Sequence, residues 1–219
     1  MLSIAAIGLG SWLNACSTPN QPQASSSPTA TAAGSMPGMD HSQMQHGGMD
    51  HSQMDLGPAN AEFDLRFIDA MIPHHEGAVV MAKAALQHSQ RPEIKKLATA
   101  IVKAQDQEIN QMKQWRGAWY PQAPSTPVAW HSQMGHAMAM SPDQIKAMRM
   151  DMDLGAADAQ FDRRFLEAMI PHHEGALVMG REALSKSQRS EIRTLAQEII
   201  KSQEAEIQQM RQWKQAWYK

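Results

Sequence analysis

The chain has 219 residues, with 20 Lys and Arg against 22 Asp and Glu, and this balance gives no electrostatic case for binding nucleic acid or an anionic membrane surface. A single cysteine, Cys16, excludes an intramolecular disulfide and a cysteine-based zinc cluster. Against that scarcity stand 18 Met and 10 His.

The apolar run from Leu2 to Leu13 is too short to span a bilayer and has the length of a signal-peptide core. It ends at Leu13-Asn14-Ala15-Cys16, which resembles a lipoprotein processing site with Cys16 as the lipidated residue. An ordinary export signal that contains a cysteine is the alternative. Either way, residues 1–16 predict export, to the periplasm or as a membrane-anchored lipoprotein. Free thiols are poor ligands in such a compartment.

Residues 17–54 are rich in Ser, Pro, Gln, Gly, Ala and Thr and lack a sustained apolar period, which predicts disorder. Embedded in them are Met36, Met39, Met44, Met49 and Met54, interleaved with His41, His46 and His51. The hexamer Met-Asp-His-Ser-Gln-Met occurs twice, at 39–44 and 49–54. The pattern suits capture of a soft metal by a tether.

An internal duplication follows. Residues 55–120 align without gaps with residues 153–218 at a constant offset of 98, and 37 of the 60 positions from Ala61 to Tyr120 are identical to their counterparts. Each unit (55–120 and 153–219) reads as two helices. Asn60 and Asp158 sit where an N-cap is expected. The first helix is predicted from about Ala61 to Gln87, and Ser89-Gln90-Arg91 forms a turn. Pro92 opens a second helix that runs to about Trp119 and is stopped by Pro121. Residues 121–152 form a Met-rich linker, predicted to be disordered, in which Pro121, Pro124, Pro127 and Pro142 preclude a long helix. Most of the methionines fall in the tether and the linker, away from any expected core.

Two helical hairpins with wide apolar faces predict an all-α protein, an antiparallel four-helix bundle with a pseudo-two-fold arrangement. Hairpins that stay apart and dimerise between chains are the alternative.

The stretch Met71-Ile72-Pro73-His74-His75-Glu76-Gly77-Ala78 recurs as Met169 to Ala176. His74 falls on the stripe Phe67, Met71, Ala78, Met81, and His75 on the neighbouring stripe Ile68, Ile72, Val79, Ala82, so both replace apolar residues on the buried face. The second helix carries the stripe Ile94, Leu97, Ile101, Gln105, Glu108, Met112. Folding the hairpin about residue 90 sets His74 level with position 106, so the polar interruptions of the two helices face each other beside Met71 and Met112. Buried polar groups need partners, and a His–Glu–Gln hydrogen-bond network that fixes helix register is the plain explanation. Adjacent histidines, a methionine one turn before and a facing Glu and Met favour a metal site instead.

The candidate ligands are Met71, His74, His75, Glu108 and Met112, repeated as Met169, His172, His173, Glu206 and Met210. Weaker candidates are Gln105, Gln203, Met81 and Met179. Met81 lies about 10 Å along the helix from His74, which favours core packing or a second ion. The tails add Met39, His41, Met44, Met49, His51, Met54, His131, Met134, His136 and Met138. Pro73 is expected to kink the first helix or break it before the histidine pair, and Glu76 to point away from it. Thioether sulfur favours Cu(I), and imidazole serves Cu(I) and Cu(II). Copper is therefore the expected ion, Cu(I) before Cu(II), with binding at the pair weakening below roughly pH 6 as imidazole protonates.

These residues resemble the family catalogued as domain of unknown function 305, whose hallmark is similar to Met-Ile-Pro-His-His-x-x-Ala-x-x-Met followed by Ala-x-x-Ile, Gln-x-x-Glu-Ile and Met-x-x-Trp. Here these run from Met71 to Met81, Ala98 to Ile101, Gln105 to Ile109 and Met112 to Trp115, and in the second unit from Met169 to Met179, Ala196 to Ile199, Gln203 to Ile207 and Met210 to Trp213. The resemblance implies a ferritin-like helical fold. The tandem arrangement with Met-rich flanks is similar to that of a periplasmic copper-binding relative, and implies copper binding and export.

The leading expectation is a non-enzymatic copper-binding protein for sequestration, resistance or transfer, with a copper-efflux or copper-transfer protein as a possible partner. A ferritin-like di-metal oxidase is the second. Such sites use several inward carboxylates and Glu-x-x-His pairs, and the pattern places only Glu108 and Glu206 inward. A structural envelope module with a buried His–Glu network is the third.

Overall fold

The computed structural model describes residues 55–219; the apolar run, Cys16 and the Met/His tract through Met54 lie outside them. Five helices and one two-stranded hairpin make up the described chain: α1 (Phe63–His88), α2 (Pro92–Trp119), β1 (Val128–His131), β2 (His136–Ala139), α3 (Pro142–Arg149), α4 (Phe161–Lys186) and α5 (Ser190–Trp217). No helix among the described residues is long and apolar enough to cross a membrane.

Each long helix starts and stops for local reasons. Asn60 and Asp158 do not cap the helices directly. Their side chains accept the backbone N–H of Glu62 and Gln160, at 3.1 and 2.9 Å. They thus close a turn that delays α1 and α4 until Phe63 and Phe161. Pro92 occupies the first position of α2, where a missing N–H costs nothing. The helix α1 continues through Pro73 rather than breaking there; the proline leaves the carbonyl of Asp69 without its usual N–H donor.

The hairpins α1–α2 and α4–α5 pack on each other through α1 and α4. Two buried clusters form, and each draws on both hairpins. One joins Phe67, Met71 and Met112 to Met179, Leu195 and Ile199. The other joins Met81, Leu97 and Ile101 to Phe165, Met169 and Met210. Neither hairpin owns a core, so hairpins that stay apart are ruled out as the architecture. Each fully buried Phe or Met side chain contributes roughly 1.5–3 kcal/mol, lost if the hairpins separate. Symmetric polar contacts seal the ends. Arg91 pairs with Asp162 at 3.4 Å and lies over the Trp217 ring at 4.2 Å. Arg189 pairs with Asp64 at 3.6 Å and lies over Trp119 at 4.2 Å.

The linker departs from the expectation of disorder. Its prolines exclude a long helix but not short elements. The β-hairpin is anchored by the Val128 N–H, which donates to Asp69 Oδ2 at 2.8 Å, and by Trp130, packed against Gly57 and under the Arg66 guanidinium at 5.2 Å. Ser141 and Gln144 form a reciprocal capping box that starts α3. Met140 and Met148 are buried in the core, so part of the linker methionine packs after all. Met134, Met138 and Met152 are exposed.

Candidate metal centre

The four histidines of the repeated stretch are all buried, none more than 1 % exposed. They form a row. Ring centres are 6.5 Å apart in His74–His75, 3.9 Å in His74–His172 and 6.3 Å in His172–His173. The pseudo-two-fold axis therefore passes between His74 and His172, and the two expected sites meet at the α1–α4 interface.

Partners define the tautomers. His75 Nε2 lies 2.6 Å from Glu108 Oε2, and His173 Nε2 lies 2.7 Å from Glu206 Oε2. An ionised carboxylate can only accept, so each Nε2 carries a proton, and in the neutral ring it is Nδ1 that keeps the lone pair. Both Nδ1 atoms are buried without a protein partner. His172 Nε2–H donates to the carbonyl of Arg149 at 3.0 Å, and its Nδ1 is likewise buried and unpartnered. Burial pushes the His172 imidazolium down from 6.5 to about 3; the nearby His173 and His75 add to the shift and the Arg149 carbonyl opposes it. His172 is thus neutral throughout the neutral and mildly acidic range.

Met71, Met112, Met169 and Met210 are fully buried, as are Met81 and Met179. The structure gathers Met71 and Met112 with Met179, and Met169 and Met210 with Met81. Met81 and Met179, distant from the histidine of their own helix, thus join the methionines of the other unit. Gln105 and Gln203 are buried, each with its Oε1 unpartnered. Glu108 and Glu206 face the histidine pairs across each hairpin, as the helix periodicity requires. Glu76 points away: its carboxylate meets Lys113 Nζ at 3.1 Å and Arg149 at 3.7 Å. Of the weaker candidates, His131, Met134, His136 and Met138 lie on the separate β-hairpin. Met39, His41, Met44, Met49, His51 and Met54 lie outside the described residues.

Arg149 and Gly77 belong to the site although no helix period marks them. The Arg149 carbonyl reaches His172 because α3 rests on Gly77, where an added Cβ would lie 1.8 Å from that oxygen. A glycine inside a helix, repeated as Gly175, was the available signal.

Two imidazoles that share one ion at N–metal distances of about 2 Å set their ring centres roughly 6 Å apart, close to the separation within each pair. Among the described residues no three His, Cys, Asp or Glu side chains converge on a point that could hold a metal ion. An ion here would be held by imidazole nitrogen and thioether sulfur, a donor set suited to Cu(I).

Fold and site together define a duplicated four-helix bundle with four buried histidines meeting at the α1–α4 interface. The chain belongs to the family described as Domain of unknown function (DUF305), whose profile matches residues 7–116 and again 64–214. It is similar to the structure of CopM in its Cu(I)-bound form, at 40% identity over 71% of this chain and 98% of that one, with a TM-score of 0.55. CopM in its Cu(II)-bound form aligns at 38% identity over the same shares, with a TM-score of 0.56. A DUF305 fragment from Deinococcus radiodurans aligns at 30% identity over 71% of this chain and 96% of the fragment, with a TM-score of 0.54. Uncharacterized protein L153 of Acanthamoeba polyphaga mimivirus is 43% identical over 49 residues, 22% of this chain and only 32% of that protein.

Proposed function

We propose that this protein binds copper outside the cytoplasm, as Cu(I) in the buried centre, and sequesters it or passes it on without catalysing a reaction. The observation that carries this reading is the orientation of His75 and His173. A carboxylate holds each Nε2–H while the opposite Nδ1 atom is left buried and unpartnered. That is the arrangement of a metal-ligating histidine steadied by an outer carboxylate. In this reading His74, His75, His172 and His173 are ligands, with Met71 and Met112 in one unit and Met169 and Met210 in the other supplying sulfur. Glu108 and Glu206 orient imidazoles instead of binding the ion. CopM, similar along nearly its whole length, was solved with Cu(I), Cu(II) and silver, which supports the choice of metal. Export through residues 1–16, a lipid anchor at Cys16 and a copper-efflux or copper-transfer partner complete the proposal.

The test is an anaerobic Cu(I) titration of the full chain against a chromogenic chelator, repeated with all four histidines changed to Leu. Binding that the four-Leu variant loses supports the reading. Equal titration curves, with both proteins folded by circular dichroism, would leave the histidines as a structural network.

A further inference from the structure

Strands β1 and β2 pair antiparallel with His131 directly opposite His136 and Ala129 opposite Met138. Side chains alternate across a strand, so Ala129, His131, His136 and Met138 share one face of the hairpin. Val128, Trp130, Ala137 and Ala139 share the other. Directly opposite residues hold their Cβ atoms about 4.5–5.5 Å apart, and the diagonal neighbour stays within reach of a long side chain. Two imidazoles can therefore close on one ion, with the Met138 thioether diagonal to His131.

The tip is also held in place. Beyond the Asp69 and Trp130 anchors, the Met140 N–H donates to the Pro127 carbonyl at 2.7 Å, closing the open end of the ladder. At the other end, Gly135 takes a positive φ of 69° and completes the turn. His136 Nδ1–H donates to the Met134 carbonyl at 3.1 Å. That bond fixes the tautomer and leaves the Nε2 lone pair of an exposed ring available, the way a ligating histidine is usually steadied. His131 is half-buried, and its Nδ1 is enclosed with no protein partner.

We infer that the β-hairpin tip is a second metal site, separate from the bundle centre, that takes Cu(II) through the imidazoles of His131 and His136 with water completing the coordination. Two neutral nitrogens without a converging carboxylate disfavour Ca(II) and Mg(II), which want oxygen, and copper stands highest among divalent ions on nitrogen donors. Solvent access separates this site from the enclosed centre. The inference does not depend on what the buried histidines bind.

The experiment is aerobic titration of the 15N-labelled full chain with copper(II) sulfate up to four equivalents, followed by 1H–15N correlation spectra. Paramagnetic Cu(II) broadens nearby amides, so the spectrum reports location. The expected result is loss of the amide signals of residues 130–138 in the wild-type chain. In H131A/H136A those signals stay sharp at the same copper concentration, and in H75A/H173A they are lost as in the wild type. The inference is overturned if residues 130–138 remain sharp in the wild type while other signals vanish, or if they broaden equally in H131A/H136A. A failed reading of the bundle centre shows separately, as an unchanged Cu(I) titration in H75A/H173A.

Discussion

His74 and His172, equivalent residues of the two units, lie ring against ring with their centres 3.9 Å apart. Each is adjacent in sequence to a histidine held by a carboxylate of its own hairpin. The duplication therefore produced one row of four imidazoles across the α1–α4 interface instead of two separate sites. Ions bound within the two pairs would sit close enough to repel.

Stepwise Cu(I) binding should show that coupling. Two unit charges roughly 10 Å apart repel by about 1–2 kcal/mol at an effective dielectric of ~20. The second ion should therefore bind about ten-fold more weakly than the first. Changing His172 and His173 together to Leu should leave a single step at the affinity of the first. Chelator competition resolves the two steps, and two equal, independent steps would contradict the shared row.

Glu108 and Glu206 should act on copper through histidine. E108Q keeps the shape of the side chain but removes the charge that holds His75 Nε2–H, and should lower Cu(I) affinity about 10–100-fold. X-ray absorption of the copper-loaded variant should show the same nitrogen and sulfur neighbours as the wild type. Loss of an oxygen neighbour on substitution would make Glu108 a direct ligand.

Stability should depend on pH through His172. Its folded-state value of about 3 lies below the ordinary 6.5, so the unfolded chain takes up the proton first. The contribution is fully present above pH 6.5 and erodes as pH falls toward 3, at about 1.4 kcal/mol per pH unit. Urea unfolding of the copper-free protein between pH 7 and 4 should be less steep in pH for H172L than for the wild type. The comparison is of slopes, because the substitution also removes the bond to the Arg149 carbonyl. Parallel slopes would mean that His172 titrates normally in the fold.

Two glycine substitutions should have opposite signs. G77A drives a methyl group into the Arg149 carbonyl, so α3 must lift and His172 loses its acceptor. The expected cost is about 2–3 kcal/mol. Gly117 lies in the last turns of α2 with nothing within 4 Å of an added Cβ, so G117A should stabilise by about 0.5–1 kcal/mol. Thermal or urea melts of both variants decide it; a neutral G77A would show that α3 does not bear on α1 in solution.

Much of this was legible in the chain itself. Helix periodicity and the offset of 98 predict the hairpins, and level-matching within a hairpin pairs the first unit's histidines with Glu108. Both follow from local geometry that repeats every 3.6 residues. The linker is less legible there: prolines forbid a long helix, yet Asp69, Arg66 and Gly57, all distant in sequence, order the hairpin that includes His131 and His136.

The helix period alone buries two adjacent histidines one turn from a methionine in each unit, because the apolar stripe leaves them no other face. It also sets which carboxylate faces them, because a hairpin with a short turn has one register. That His74 meets His172, and that Met81 shares a cluster with Met169 and Met210, is set between the hairpins. Those contacts depend on how α1 crosses α4, which is set by the packing of two whole surfaces and is not written in the period of either helix.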